Sequence, residues 1–166
     1  MADMFLAGYS GESAAELIAM ADRYRIDSLV LAFEEALGAK EFEHGSNRLT
    51  ETERTILAIE GLEREVNNGG YWQFFVNSSN EYAESIVQAL ERIGCTKTAQ
   101  ITARALDSLG TSELSSDAIA RAIARDDPRR DAILEECDTA YFRGTDAIAD
   151  RLFDYIRAHQ SEVRLP

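Results

Sequence analysis

The sequence predicts an all-α fold, a single compact domain of eight or nine helices spanning residues 1–166. Three observations predict it. Apolar residues recur at spacings of three and four through most of the chain. Only two prolines, Pro128 and Pro166, interrupt it, and a proline inside a helix costs about 3 kcal/mol. No pair of alternating segments stands ready to form a sheet. With 45% hydrophobic and 28% charged residues, the composition is that of a folded domain with its own core, not of a disordered chain.

Each element follows from local signals. Ser10 or Ser13 caps a first helix through about Tyr24, with Ala14, Leu17, Ile18 and Ala21 inward. A second helix runs from Asp27 to Leu37 and stops at Gly38. The polar stretch from Lys40 to Arg48 reads as a loop. Residues 1–34 are N-terminal helices that could pack as a hairpin beside the rest. Thr50 and Glu53 then form a capping box, and the helix behind it runs to Val66 with Ile56, Ile59 and Leu62 on one face. Asn67, Asn68, Gly69 and Gly70 end it in a tight turn, because asparagine and glycine tolerate positive φ. Tyr71 to Val76 is apolar and aromatic. With no strand to pair with, it reads as a one- or two-turn helix at the centre of the core.

After a loop at Asn77–Asn80, a helix runs to Ile93 and stops at Gly94. Another starts at Thr96 or Thr98 and ends near Gly110. Ser115 or Ser116 caps a short helix through Ala124. Asp126 and Asp127 precede Pro128, which suits a first helical turn, and that helix carries Ile133, Leu134, Cys137 and Tyr141. Gly144 and Thr145 break it. A last helix carries Ile148, Leu152, Tyr155 and Ile156, and the tail past Gln160 is expected to fray.

Thirty acidic residues against seventeen basic ones give a net charge of −13. That field repels nucleic acid and anionic membranes, so direct binding to either is not expected. It favours a basic protein partner, or simply solubility. Cys95 and Cys137 have no CxxC or other ligand spacing and read as reduced, partly buried thiols. The first nine residues lack the basic region of a signal peptide. No window is apolar for long enough to span a membrane, so the cytoplasm is the expected location.

No constellation for catalysis is present. His44 and His159 have no carboxylate or cysteine at ligand spacing, and no nucleophile elbow, phosphate loop, Glu-x-x-His pair or calcium loop occurs. No catalytic residue, metal or cofactor is therefore expected. A pocket holding two carboxylates of raised pKa would revive an enzymatic reading.

The acidic residues are concentrated. Nine acidic and four basic side chains lie between Glu34 and Glu65, and the same numbers between Asp126 and Asp154. Glu34, Glu35, Glu41, Glu43, Glu51, Glu53, Glu60, Glu63, Asp131, Glu135, Asp138, Asp146, Asp150 and Asp154 are the candidate acidic interaction surface. Such an array could resemble duplex phosphates, at about one charge per 1.7 Å of axis.

The run Glu65-Val66-Asn67-Asn68-Gly69-Gly70-Tyr71-Trp72-Gln73-Phe74-Phe75-Val76-Asn77-Ser78 resembles the family of the acidic DNA-mimic protein of Neisseria, a bacterial domain otherwise of unknown function. Ala89 to Gly94, and Leu134 to Ile156 with Asp138, Tyr141 and Tyr155, are also similar. The likeness covers roughly residues 35–160. It implies an all-helical fold, and for the neisserial member a homodimer that binds a helix-turn-helix transcription factor in place of DNA. The signature residues themselves read as structural, with glycines for the turn and aromatics for the core.

Two functional readings follow. The first is an acidic interaction module, a DNA mimic that covers the basic face of a DNA-binding protein. The alternative is a regulatory or immunity-type protein whose small-ligand or peptide pocket is made by Asn67, Asn68, Gly69, Gly70, Tyr71, Trp72 and Gln73.

Overall fold

A computed structural model describes residues 3–144 and 146–166. Thr145, expected to help break a helix, lies outside the described residues. Among these residues the fold is all-α, with eight α-helices, four short 3-10 turns and no strand. A lone parallel bridge joins Met4 to Tyr24. None of the described helices is long and apolar enough to cross a membrane.

The chain forms two compact units, one running through Glu60 and taking in Ile148–Pro166, the other Gly61–Ala147. The first holds α1 (Ala14–Ala19), α2 (Ile26–His44), the start of α3 (Glu51–Val76) and α8 (Ile148–Ala158). Ser13 and Glu16 close a capping box at the start of α1. This helix ends sooner than its pattern predicts and passes into a 3-10 turn at Met20–Asp22. α8 packs on α2, and Leu29, Phe33, Leu37, Leu152, Phe153 and Ile156 are buried.

Two expectations fail in α2. Gly38 does not stop the helix, and Lys40 to His44, expected as loop, are helical. A helical glycine costs only about 1 kcal/mol. The extra turns place Lys40 Nζ 2.7 and 2.8 Å from the two carboxylate oxygens of Glu53, and bonds to charged groups contribute about 1.5–3 kcal/mol each. The helix stops instead at Gly45, whose φ of 85° and ψ of 155° form a backbone that favours glycine.

The Thr50–Glu53 capping box is present, with Glu53 N–H donating to Thr50 Oγ1 at 3.1 Å and Thr50 N–H to Glu53 Oε2 at 2.9 Å. The same carboxylate also accepts from the backbone N–H of Arg164 at 2.8 Å. The tail is consequently not frayed as expected. Gln160–Glu162 form a 3-10 turn, Val163 is buried, and Thr50 Oγ1 donates to the Glu162 carbonyl at 2.9 Å.

The second unit holds the rest of α3 with α4 (Ile86–Arg92), α5 (Thr96–Asp107), α6 (Ser116–Ile123) and α7 (Pro128–Phe142). α5 packs on both α4 and α7. Ser115 caps α6. Asp127 caps α7, with Pro128 in its first turn. α4 begins later than its sequence predicts, because Ser78–Tyr82 forms a 3-10 turn first. Tyr71, Phe74 and Phe75 are fully buried, which places three rings of the hexapeptide in the core as expected, while Trp72 and Val76 on its other face are exposed. Cys95 and Cys137 are buried free thiols.

Candidate functional site

The Gly-Gly turn is a break inside α3. Gly69 sits at φ −161°, ψ 24° and Gly70 at φ 73°, ψ −174°, while the residues on both sides are helical. The conformation of Gly70 is open essentially to glycine alone. The break turns the backbone N–H of Tyr71 out of the helical ladder, and it donates to Asp138 Oδ1 on α7 at 2.7 Å. A Cβ on Gly70 would lie 2.3 Å from Asp138 Oδ2, so the carboxylate occupies the space that glycine leaves.

Polar bonds lock both arms of the break. Glu65 accepts from Gln73 Nε2 at 3.0 Å, Asn77 Nδ2 at 2.7 Å and Ser79 Oγ at 3.2 Å. Burial pushes the Glu65 carboxyl up, but these three donors and the nearby Arg64 outweigh it and hold it below its usual range. The Tyr71 hydroxyl shares a hydrogen bond with Thr102 Oγ1 at 2.7 Å. Tyr71 also meets Tyr141 edge to face at 6.0 Å, a favoured aromatic geometry. The Tyr141 hydroxyl donates to Glu63. Burial pushes the Glu63 carboxyl up to about 7, with the Asn67 side chain opposing. Asp138 is also raised, chiefly by burial, with the Tyr71 N–H opposing and the Glu135 charge adding.

One residue further on, Trp72 turns outward and is 41% exposed. The Arg130 guanidinium lies 5.2 Å from the centre of its ring, within cation–π range. Arg130 is itself buried and donates to the carbonyls of Ala122 and Arg125 and to Asp131 Oδ1. Nothing in the sequence singles it out. The available signal was its place two residues behind Pro128, where a long cation reaches the C-terminal carbonyls of the preceding helix.

Trp72, Asp131, Leu134, Glu135 and Asp138 line an open cavity of about 280 Å³. Its walls are an indole, one leucine and three carboxylates. Such a cavity suits the head of a cationic side chain, which gains from both the carboxylates and the ring face. Asp131, Glu135 and Asp138 stand on successive turns of α7. At 1.5 Å rise per residue they average roughly 5 Å apart along the axis, against about 3.4 Å per phosphate on one DNA strand.

The remaining predicted residues scatter. Of the turn, Trp72 alone lines this cavity. Tyr71 and Gly70 are buried, and Asn67, Asn68 and Gly69 are exposed. Two predicted surface carboxylates are corrected outright, since Glu53 is 0% and Glu60 5% exposed. Both lie on the inward side of α3, and Glu53 serves Lys40 and two backbone amides there. Asp146 caps α5 by accepting from Thr98 N–H and Thr98 Oγ1, each at 2.8 Å. Glu35 accepts from Tyr9 N–H. Glu34, Glu41 and Glu51 each engage an intramolecular partner. Glu43 lies beside His44, and Asp154 beside Arg157. Asp150 is exposed.

Glu63 and Asp138 are two carboxyls of raised pKa, yet Glu63 is not part of the cavity that Asp138 lines. No group of three or more His, Cys, Asp or Glu among the described residues is arranged to hold a metal.

No curated protein and no solved structure matches the chain. The profile of the DMP19-like protein family matches residues 47–159, which takes in the whole of the broken helix and α7. The Gly-Gly turn and the carboxylate seated against it thus sit inside the matched region, and the chain belongs to the DMP19-like protein family.

Proposed function

We propose that this protein is an acidic interaction module that covers the basic, DNA-binding face of a protein partner in place of DNA. The observation that carries the reading is the carboxylate row on α7, set around a half-exposed tryptophan. Supporting it are the net charge of −13 and membership of a family named for a DNA mimic. Trp72 provides the apolar anchor that interfaces place among their charges, with the buried Leu134 beneath it in the cavity wall. The carboxylates steer a basic partner in and fix its register. The module acts by occupancy and needs no chemistry.

The alternative pocket of Asn67, Asn68, Tyr71, Trp72 and Gln73 is less well supported. The Tyr71 hydroxyl is committed to Thr102 and the Gln73 amide to Glu65. The cavity at Trp72 also falls just under the range of about 300–1,000 Å³ usual for small-ligand sites.

The test uses the intact protein as bait at low salt, beside an Asp131→Lys/Glu135→Lys variant, followed by elution with duplex DNA. A DNA-binding protein held by the wild type, released by duplex and lost with the variant supports the reading. Recovery of nothing that duplex displaces would sink it.

A further inference from the structure

We propose that the first unit carries a second, basic site, at the C-terminal end of α2, that binds a phosphate-bearing small molecule. Lys40, His44, Arg48, Arg164, Leu165 and Pro166 line an open cavity of about 460 Å³. In a chain of net charge −13, four of its six lining side chains are basic and none is acidic.

The fold builds this cluster deliberately. Lys40 and His44 stand one turn apart on α2 and share a face. The turn at Gly45 and the 3-10 segment Ser46–Arg48 bring Arg48 round beside them. Arg164 is fixed by its backbone, whose N–H donates to Glu53 and whose carbonyl accepts from Lys40 Nζ at 2.8 Å. Its side chain is left exposed.

The cations are not equivalent. The Lys40 charge is matched by the buried Glu53 at 2.7 Å. Lys40 and His44 near the end of α2 are also explained by the helix dipole, which favours cations there. Neither explanation reaches Arg48 and Arg164, which lie outside that helix. Their guanidinium groups make no hydrogen bond or ion pair with a described residue.

Two unpaired guanidinium forks match a dianion with several acceptor oxygens, which is the geometry of a phosphate group. A lone carboxylate would satisfy one fork and leave the other. The cavity lies within the size range of small-ligand sites and exceeds what a bare phosphate needs. Leu165 and Pro166 give it an apolar wall. The ligand class is therefore a phosphate monoester with a compact organic group.

The test is titration of the full chain with adenosine monophosphate, inorganic phosphate and citrate at low salt, followed by NMR of the arginine side chains. Saturable binding of the nucleotide is expected, with inorganic phosphate weaker. Arg48→Gln and Arg164→Gln should each weaken it on the order of tenfold, one charged hydrogen bond's worth. Thermal melts should be unchanged, because neither side chain supports the fold. Arg129→Gln, an exposed arginine on α7, should leave binding intact. No saturation by about 10 mM, a free energy below roughly 3 kcal/mol, overturns the proposal, as does equal binding by the glutamine variants. Citrate binding tighter than the nucleotide overturns the phosphate assignment.

Discussion

Gly70→Ala tests the physical reading of the family turn. At φ 73° and ψ −174° any side chain strains the backbone by roughly 1–3 kcal/mol. The new methyl would also meet Asp138 Oδ2 at 2.3 Å and Cγ at 2.6 Å, so the carboxylate must leave. Its departure breaks the 2.7 Å bond to the Tyr71 N–H and strands a buried donor, a further loss of about 1.5–3 kcal/mol. The combined penalty is about 2.5–6 kcal/mol, a large share of the 5–15 typical of a whole domain. Urea unfolding followed by Trp72 fluorescence and far-UV dichroism measures it. Asp138→Ala separates the two effects, since on that background the alanine at position 70 should cost only the backbone strain. A loss below about 1 kcal/mol for Gly70→Ala, or an equal loss with and without Asp138, would refute the reasoning.

Lys40→Met should destabilise the protein by about 3–5 kcal/mol, because it leaves Glu53 charged and buried without its cation; a thermal melt unchanged within a degree would contradict this. Glu63, raised to about 7 from 4.5, binds its proton more tightly folded than unfolded. Its contribution is present below the unfolded value and is lost as pH rises through about 7, on the order of 3 kcal/mol in all. Glu63→Gln should flatten that slope in unfolding titrations at several pH values, and an unaltered slope would remove the claim. Cys137, buried and with its thiol pushed up chiefly by burial, should react with a thiol reagent only on unfolding; rapid labelling of the folded protein at this position would count against its placement.

Much of the fold was legible because local signals agreed with the tertiary structure. Thr50 and Glu53 announce their helix start, and Asp127-Pro128 another. The aromatic run Tyr71–Val76 was legible as a helix only by elimination, since its own propensity favours a strand. Gly38 misled because a weak stop signal was outweighed by the Lys40–Glu53 pair, which joins residues thirteen apart. The tail misled for the same reason, its anchors being Thr50 and Glu53 more than a hundred residues earlier. The acidic surface was harder still. A count of carboxylates cannot separate Glu53 and Glu60, which face inward, from Asp131 and Glu135, which face out. Helical periodicity could have flagged the first two, since Ile56 and Ile59 lie on the same side of α3.

Asp138 changes how the family signature bears on function. From the sequence, the Asn-Asn-Gly-Gly-Tyr-Trp turn is structure and the carboxylates are surface, and the two are separable. In the fold they meet. One oxygen of Asp138 holds the Tyr71 N–H, and the same side chain lines the cavity beside Trp72. Gly70 leaves the space that lets this carboxylate approach, and the Arg130 guanidinium lies over the indole that lines the same cavity. The turn therefore determines where Asp138 and Trp72 stand. Charge reversal at Glu135, which has no such backbone duty, should weaken partner binding while leaving the melting temperature within a few degrees, since a surface substitution changes stability by about 0.5 kcal/mol or less. Asp138→Asn keeps an acceptor for Tyr71 but removes the charge, so it should lower affinity and its salt dependence with only a modest loss of stability. If Asp138→Asn unfolds the second unit yet Glu135→Lys leaves binding untouched, α7 is scaffold alone, and the interaction face must be sought among the exposed carboxylates of the first unit, such as Asp150.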